Sequence, residues 1–344
     1  MMMARHTLLA IAALLGVACT DAPTLTGTNQ GAAVTNEEVF DAVWGEFDRH
    51  YSYFQVKGVD WDAMRATYRP QALNAPSSAE LAKVIGNMLN TLRDRHVSLT
   101  PTGSGSIIRY LTRADSQPSS YDSGLIESHY VTAANTTNGG HVRYGYAAPT
   151  VGYIRIPTFE GDGWAGEIDA AIAALPQAQS MIVDVRGNPG GSHDLAIQVA
   201  GRFATSSVVY SYTKSRNGPG RNDFTGMTAQ TVSPAGPRQF TGPVTVLTDR
   251  RVYSSAENFT LALSSFPNVT TVGDTTAGAS GKPITRELPN GWTYTLSTWV
   301  EYTADKKVYE NIGLAPDVYA GPTVRAGVNR TDPTMDRAIA AMTR

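Results

Sequence analysis

Ser254 occupies a turn between two regular patterns, in the stretch VTVLTDRRVYSSAENFTLALSSFPNVTTVG that runs from residue 244 to residue 273. The apolar, β-branched run at 244–247 predicts a buried strand, and apolar residues after Ser255 recur at helical spacing. A serine at such a turn lies at the positive end of the helix, beside free backbone N–H groups. It could act there as a nucleophile and help to stabilise an oxyanion. The position also suits an ordinary helix N-cap, which is the commoner use of serine.

The sequence DVRGNPGG, residues 184–191, offers a second element of such a site. Gly190 and Gly191 would let the backbone approach a ligand closely, and the helix predicted after them would add N–H groups and a positive dipole. They could form half of an oxyanion hole, or only a tight turn between a strand and a helix. A nucleotide cradle is disfavoured, because the chain has neither a Walker A nor a G-x-G-x-x-G pattern.

Four other side chains could assist a serine nucleophile. His96 follows a predicted helix, and imidazole is a natural general base near neutral pH. His193, next to the glycine pair, is its rival. Glu310 could orient and charge the imidazole in a Ser-His-Glu relay, and Lys282 could serve instead as the base of a Ser–Lys dyad if burial favoured its neutral amine. Each has a plain alternative, namely a surface or capping histidine, a solvated carboxylate or a solvated ammonium.

The composition excludes few classes of protein. The chain has 344 residues and a net charge of −2, with 42% hydrophobic and 17% charged residues. These values are ordinary for a soluble globular protein with a substantial core, and the length suggests two domains. Neither nucleic acid nor a basic membrane-binding face is indicated by the charge.

The N-terminus predicts export. Arg5 and His6 precede an apolar run at 8–18, and Cys19, the only cysteine, follows small residues. This arrangement resembles the lipobox of bacterial lipoproteins, although Leu15 lies one place further from the cysteine than is usual. We therefore expect residues 1–19 to be a lipoprotein-type signal peptide with lipidation at Cys19, in preference to plain secretion. Residues 20–34 predict a flexible tether, and the mature protein would have no disulfide.

The rest of the chain divides into three regions. Residues 35–95 predict a small helical domain with capping boxes at Thr35–Glu38 and Ser77–Glu80, and with a short helix at 61–68 that ends at Pro70. Residues 96–150 are β-rich, with strands expected at 107–111, 129–133 and 142–146. From 151 to 344, strands alternate with helices, which predicts a mostly parallel sheet with helices on its faces. Within this region we expect a long loop at 217–237, a hairpin with arms at 284–288 and 292–302, and a last helix that starts at Asp332-Pro333.

The order and spacing of DVRGNPGG, VLTDRRVYSSAENF and VGDTTAG resemble the serine peptidases of the C-terminal-processing (tail-specific) and tricorn protease family. In that family the nucleophile stands first in an S-x-x-E stretch, which corresponds to Ser254 and not to Ser255. One branch places a catalytic lysine where this chain has Ala279, so that Lys282 comes three residues late and the dyad is disfavoured.

The tricorn-like branch takes a histidine from L-x-D-x-H and a glutamate from E-x-x-G-[VL]-x-P-D. Both stretches are present, at 92–96 and 310–317, which supports His96 as base and Glu310 as orienter. Tricorn has a serine where this chain has Arg95. The resemblance covers about 39–318 and is weakest at 102–149, where the family usually has a PDZ domain and this chain is too short for one.

The resemblance implies an α/β fold with a crotonase-like βαβ core at 151–344, preceded by the helical domain and by a degenerate or missing PDZ module at 96–150. It also implies a serine-type endopeptidase with an oxyanion hole made by the N–H groups of Ser255 and of Gly190 or Gly191. Such an enzyme needs no metal and no cofactor. Its partners would be peptides or unfolded exported proteins, with no nucleic acid, and it would meet the membrane of the cell envelope only through the lipid anchor. A non-catalytic ligand-binding lipoprotein on the same fold and a purely structural envelope lipoprotein are the alternatives.

Overall fold

The computed structural model describes residues 33–103, 105–116, 118–321 and 330–343. Those from Val34 onward belong to one compact unit. The predicted signal peptide with Cys19, and nearly all of the predicted tether, lie outside the described residues. Along the described chain, no helix combines the length and the apolar character needed to cross a membrane.

Four helices open the described chain: α1 Asn36–His50, α2 Phe54–Lys57, α3 Trp61–Leu73 and α4 Ser78–Asn90. The capping box predicted at Thr35 is present in both directions, and the Ser77 hydroxyl accepts the N–H of Glu80 at the start of α4. The prediction that the third helix ends at Pro70 is wrong. It continues to Leu73, because a proline removes only one donor from the helix and because Arg69, in the same turn, is bound to Asp41 of α1.

The next region contains two short strands, β1 Ser98–Thr100 and β2 Ile108–Arg109, a 3₁₀ turn at Arg113–Ser116, α5 Ser123–Leu125, a π-type turn at Ile126–Tyr130, and the strands β3 Thr132–Thr136 and β4 Arg143–Ala148. The strand predicted at 129–133 is wrong in its first half. The N–H of Val131 donates to the carbonyl of Ile126 and closes the π-type turn, so the strand begins only at Thr132.

The remaining strands are β5 Val151–Arg155, β6 Ser180–Asp184, β7 Val208–Ser215, β8 Thr228–Val232, β9 Val244–Thr248, β10 Val269–Gly273, β11 Pro283–Glu287, β12 Thr293–Ser297, β13 Trp299–Thr303 and β14 Val318–Tyr319. The remaining helices are α6 Gly166–Ala173, α7 His193–Ala200, α8 Ser255–Ser264 and α9 Pro333–Met342.

A seven-stranded sheet of order β14-β10-β9-β6-β5-β4-β3 organises the fold. The strands from β14 to β5 are parallel, and β4 and β3 add an antiparallel edge. The parallel part agrees with the strand–helix alternation of the sequence, and β5, β6 and β9 are buried along their whole length. The region at 96–150 therefore gives its last two strands to the main sheet.

Two smaller sheets complete the molecule, with the orders β13-β7-β8 and β11-β12-β1-β2. Two predictions are wrong here. The loop expected at 217–237 contains β8, which pairs with β7, and the second arm of the expected hairpin is split at Thr298. The first half of that arm, β12, pairs with β11. The second half, β13, belongs to the other small sheet and pairs with β7.

The N-terminal helices do not have a core of their own. Aromatic and aliphatic side chains of α1, α3 and α4 pack in one buried cluster with Leu288, Trp292, Tyr294 and Leu296 of the hairpin. A separate cluster fills the space between the main sheet and helices α6, α7 and α8. The domain boundary expected at residue 95 stays a prediction, and it would cut through the shared cluster.

This shared core gives a stability prediction. Leu296→Ala removes a fully buried side chain, so it should lower the free energy of unfolding by about 2–5 kcal/mol. Because the helices and the hairpin share the cluster, circular dichroism and tryptophan fluorescence should report the same lowered midpoint in guanidinium chloride. The matched control is Leu111→Ala, at a 63% exposed leucine, which should change stability by less than about 0.5 kcal/mol. Two separate transitions in the Leu296 variant would contradict the shared core.

Candidate active site

Ser254 lies between β9 and the first residue of α8 with a backbone that few residues other than glycine adopt. Its φ is 59° and its ψ is −134°. Its N–H donates to the carbonyl of Ala279 at 2.9 Å. Among the hydrogen bonds of the described residues, none caps α8 through the Ser254 side chain, so the plain N-cap alternative does not hold. A strained serine whose hydroxyl is left unused by the helix is typical of a nucleophile at a sharp turn.

The strained turn faces Gly190. A Cβ atom on Gly190 would lie 2.8 Å from the Cβ of Ser254 and 2.9 Å from the carbonyl of Tyr253, and Gly190 itself has a φ of 93°. Only glycine fits this approach to Ser254, whereas the approach to a ligand that the glycine pair indicated stays a prediction. The N–H of Gly190, however, donates to the Asn188 side chain at 2.8 Å. Within the described chain, the N–H groups of Gly191 and Ser255 are left without an acceptor, which favours Gly191 over Gly190 as an oxyanion donor.

A cavity of about 510 Å³ opens beside Ser254. Gly191, Ser255, Ser280 and Lys282 are among the residues that line it. Within the described ranges, no group of three or more His, Cys, Asp or Glu side chains is placed to hold a metal ion.

His96 lies next to this turn, in the segment between α4 and β1. Its ring centroid is 6.2 Å from that of Tyr253, the residue before Ser254, and the backbone N–H of His96 donates to Asp94 Oδ1 at 2.8 Å. Burial lowers the pKa of His96, whereas the Asp94 carboxylate and the backbone of Ser280 oppose that effect. Its Nδ1 is buried and has no partner in the described part of the chain. No hydrogen bond there joins His96 to Ser254 or to Glu310.

Glu310 is buried and contacts the site through Ser280. One of its oxygens accepts the N–H of Ser280 at 3.0 Å, and the other accepts Lys57 Nζ at 2.7 Å. Burial, and then the negative charge of Asp94, raise the pKa of Glu310, while Lys57 acts in the opposite direction. The structure therefore places Glu310 against the segment that borders the cavity, with Lys57 as its ion-pair partner. Lys57 lies in none of the motifs, so no pattern in the sequence indicated it.

The two alternative bases both line the cavity with Ser254. Lys282 is exposed, and its Nζ lies 5.3 Å from the ring centre of Trp299. His193 Nδ1 lies 3.1 Å from Asn258 Oδ1, while Asn258 Nδ2 donates to the buried Glu301 at 2.6 Å. Since the carboxylate fixes the Asn258 amide with its oxygen toward His193, the Nδ1 of that histidine is the donor.

Arg95 occupies the position where tricorn has a serine. Its guanidinium lies 4.0 Å from the ring centre of Tyr253 and pairs with Asp115 at 2.7 Å. The guanidinium therefore packs against Tyr253, the residue that precedes Ser254. Its positive charge lowers the pKa of the His96 imidazole further.

Glu257, the last residue of the S-x-x-E stretch, holds the loop at 276–279 in place, a role that the motif alone does not predict. Its carboxylate accepts the hydroxyl of Thr276 and the N–H groups of Gly278 and Ala279 at 2.5, 2.8 and 2.9 Å. It thus holds the loop whose Ala279 carbonyl binds the Ser254 N–H. Burial raises the pKa of Glu257 to about 7, although these hydrogen bonds oppose the rise.

With this geometry in place, two family models match the chain. The model of peptidase family S41 matches residues 150–320, and that of the tricorn protease C1 domain matches residues 33–90. Residues 150–320 belong to peptidase family S41. The S41 model describes a family of peptidases.

This chain is similar both to a curated protein that is much longer and to a solved structure of about the same length. It is 29% identical over 172 residues to the carboxy-terminal processing protease CtpA of Bacillus subtilis, and the match covers 49% of this chain and 35% of that protein. The matched stretch thus spans about a third of the length of that curated relative. A solved structure from Parabacteroides merdae, described as a candidate peptidase, has a TM-score of 0.79 and 28% identity, and the match covers 90% of this chain and 98% of that one.

The structure of mature CPAF is similar in fold, with a TM-score of 0.65 and 13% identity over 83% of this chain and 92% of that one. The mixed α/β fold that the sequence predicted is therefore shared with solved S41 proteases.

Gly190→Ala tests the close approach of the glycine loop. The added methyl group would meet Ser254 and the Tyr253 carbonyl, so we expect a loss of at least about 2 kcal/mol of stability and a Ser254 that reacts much more slowly with a fluorophosphonate. The matched control is Gly163→Ala, since Gly163 also has a positive φ, of 75°, but nothing lies within 4 Å of the added atom. That variant should lose about 1 kcal/mol and react normally. Equal effects of the two substitutions would contradict the contact.

The buried carboxylate of Glu257 predicts a pH dependence of stability. Its folded pKa of about 7 is above the ordinary value of 4.5, so its contribution is fully present below pH 4.5 and is lost as the pH rises through 7. The parent should therefore lose up to about 3 kcal/mol relative to Glu257→Gln over this interval. Urea unfolding of both proteins at several pH values measures the difference. A difference that stays constant across this interval would show that Glu257 is already ionised at pH 4.5 in the folded protein.

Proposed function

We propose that this protein is a serine endopeptidase that hydrolyses peptide bonds in exported peptides or unfolded proteins, with Ser254 as the nucleophile, His96 as the general base and Glu310 as the orienting carboxylate. The observation that carries the proposal is the strained backbone of Ser254 at the start of α8. Its hydroxyl caps nothing among the described residues, and it lies beside a cavity and two N–H groups that have no acceptor there. A purely structural lipoprotein would not need this strain.

The proposed reaction has two steps. His96 takes the hydroxyl proton as Ser254 Oγ attacks the substrate carbonyl carbon, and the carbonyl oxygen becomes an oxyanion that accepts the N–H groups of Ser255 and Gly191. His96 then gives the proton to the leaving amine, and the C–N bond breaks to leave an acyl ester on Ser254. In the second step His96 takes a proton from water as the water oxygen attacks the carbonyl carbon of the ester. The bond from that carbon to Ser254 Oγ then breaks, His96 returns the proton to Oγ, and the carboxylic acid leaves.

The reaction requires a hydrogen bond from Ser254 to His96 that the described residues do not contain. Such bonds often form fully only when a substrate fills the site. The contact of the His96 ring with Tyr253 supports this assignment, because it places the imidazole against the residue next to the nucleophile. Glu310 acts here through the peptide unit of Ser280, whose backbone lies against His96 and favours the charged imidazole.

We also propose a crotonase-like fold for the catalytic region and a location at the cell envelope. The parallel strands β5, β6 and β9, with α7 and α8 after their carboxyl ends, support a crotonase-like core. The signal segment and Cys19 support an exported lipoprotein that is held at the cell envelope by its lipid. Neither metal nor cofactor has a step in the proposed reaction.

Active-site labelling tests the assignment of the three candidate bases. A fluorophosphonate should attach to Ser254 in the parent and should fail to label Ser254→Ala. His96→Ala should lower the labelling rate by about 10³-fold or more, whereas Lys282→Ala should keep most of it. Mass spectrometry of tryptic peptides locates the adduct.

The reverse pattern would restore the Ser–Lys dyad, and a loss confined to His193→Ala would make that histidine the base. If Ser254→Ala is labelled as fast as the parent, Ser254 is not the nucleophile. A labelled parent that cleaves no member of a peptide library would favour the non-catalytic binding protein.

A further inference from the structure

Lys57 has an unusual position for a lysine. It is the last residue of α2, its side chain is only 2% exposed, and its ammonium donates to Glu310 at 2.7 Å and to the carbonyl of Arg93 at 3.0 Å. The ammonium also lies 5.5 Å from the ring centre of Tyr53. Lysine is almost never fully buried unless it is paired. The pair thus joins the N-terminal helices to the segment that carries the proposed orienting carboxylate.

The contacts continue from Glu310 to the cavity. The carboxylate oxygen that does not bind Lys57 accepts the N–H of Ser280, and the Ser280 hydroxyl is hydrogen-bonded to Tyr53 at 2.7 Å. Ser280 lines the cavity together with Ser254, and its backbone lies against the imidazole of His96. A displacement of Glu310 would therefore move the segment whose Ala279 carbonyl binds the Ser254 N–H and whose Ser280 backbone acts on His96.

The charges around Glu310 make a cation necessary. Asp94 is fully buried and lies close enough to raise the pKa of Glu310 by repulsion, and burial raises it further. Lys57 and the N–H of Ser280 lower it again. The titratable and charged groups that act on Glu310 or are acted on by it are Lys57, Asp94, Tyr51 and Tyr53. Asp94 and Lys57 also act on His96, where Asp94 raises the pKa of the imidazole and Lys57 lowers it.

We infer that Lys57 is a positioning residue of the peptidase site: its ammonium favours the ionised form of Glu310 and holds that carboxylate against Ser280, and it thereby holds Ser280 and His96 in place for proton transfer from Ser254. This inference rests on the proposed function. The role is more specific than stability, because a buried ion pair contributes little net free energy of folding and a neutral pair of similar volume would serve the core as well.

The sign of the pH effect follows from these charges. Without Lys57, only the N–H of Ser280 opposes the effects of burial and Asp94, so Glu310 takes up a proton at a higher pH than in the parent. The pKa of His96 rises as well, because Lys57 lowers it in the parent. Ionised Glu310 is present above its pKa and is lost as the pH falls through it. The acid side of the rate profile should therefore move to higher pH when Lys57 is neutralised, and raising the pH should restore part of the rate. A residue that only filled space would leave the profile in place.

The experiment measures the rate constant for fluorophosphonate labelling of Ser254 from pH 5 to pH 10. The proteins are the parent, Lys57→Met, Lys57→Arg, Glu310→Gln and the double variant Lys57→Met/Glu310→Gln. At pH 7, Lys57→Met should label about 10- to 100-fold more slowly, with its acid limb at higher pH, and Lys57→Arg should stay near the parent rate. The double variant should label no more slowly than Glu310→Gln, because both changes act on one group.

A matched control separates this role from the general loss of a buried ion pair. Arg202 is 8% exposed and pairs with Asp169 at 3.0 Å, in a part of the chain that does not line the cavity. Arg202→Met should lower the thermal midpoint, as Lys57→Met does, and keep the parent rate and pH profile. If Lys57→Met does not fold, the comparison of Glu310→Gln with the double variant decides, because the double variant leaves no unpaired buried charge.

Two results would overturn the inference. One is a Lys57→Met protein that labels at Ser254 with the parent rate and profile. The other is a double variant in which the two losses multiply. Both leave the proposed function intact, because Ser254 is still labelled. If Ser254→Ala labels as well as the parent, the proposed function fails and this inference fails with it.

Discussion

The backbone of Ser254 is the constraint on which the site depends. A serine with a φ of 59° persists only if its surroundings determine it, and three contacts do so. Gly190 packs against its Cβ, the carbonyl of Ala279 holds its N–H, and α8 begins at the next residue. Because Glu257 holds the loop that contains Ala279, the last residue of the S-x-x-E stretch maintains the conformation of the first.

Several charged side chains of this protein are buried. Asp94, Glu257, Glu301 and Glu310 are all buried, and each is compensated by hydrogen bonds or by a cation. Behind the glycine loop, Arg186 is fully buried between Asp184 and Asp332, which ties the end of β6 to the start of α9. Such groups are costly to bury and contribute little to net stability. Glu301 lines the cavity, and Glu257 and Glu310 hold the segment at 279–280 beside it, a grouping of buried charges that is typical of a functional site.

Local rules predicted much of the fold from the sequence. The capping hydrogen bonds of α1 and α4 and the parallel strands β5, β6 and β9 depend on neighbours in the chain or on simple periodicity. Features that depend on distant partners were missed. Strand β8 exists because β7 offers it an edge, and the hairpin arm splits because β13 pairs with β7.

The site shows the same division. Ser254 and Gly190, which the motifs singled out, lie opposite each other, since both are at strand-to-helix turns of one sheet. The motifs could not predict that Asn188 would occupy the N–H of Gly190, or that a lysine 253 residues away would bind Glu310. A contact between distant segments leaves no spacing in the sequence by which it could be found.

The most direct measurement of the central claim is a crystal structure of the protein after reaction with a fluorophosphonate. The account predicts phosphorus bonded to Ser254 Oγ, with the phosphoryl oxygen at about 2.7–3.1 Å from the N–H nitrogens of Ser255 and Gly191 and with the imidazole of His96 turned toward Ser254 Oγ. An adduct on another residue, or an imidazole that stays out of reach of Ser254 in the labelled protein, would contradict it.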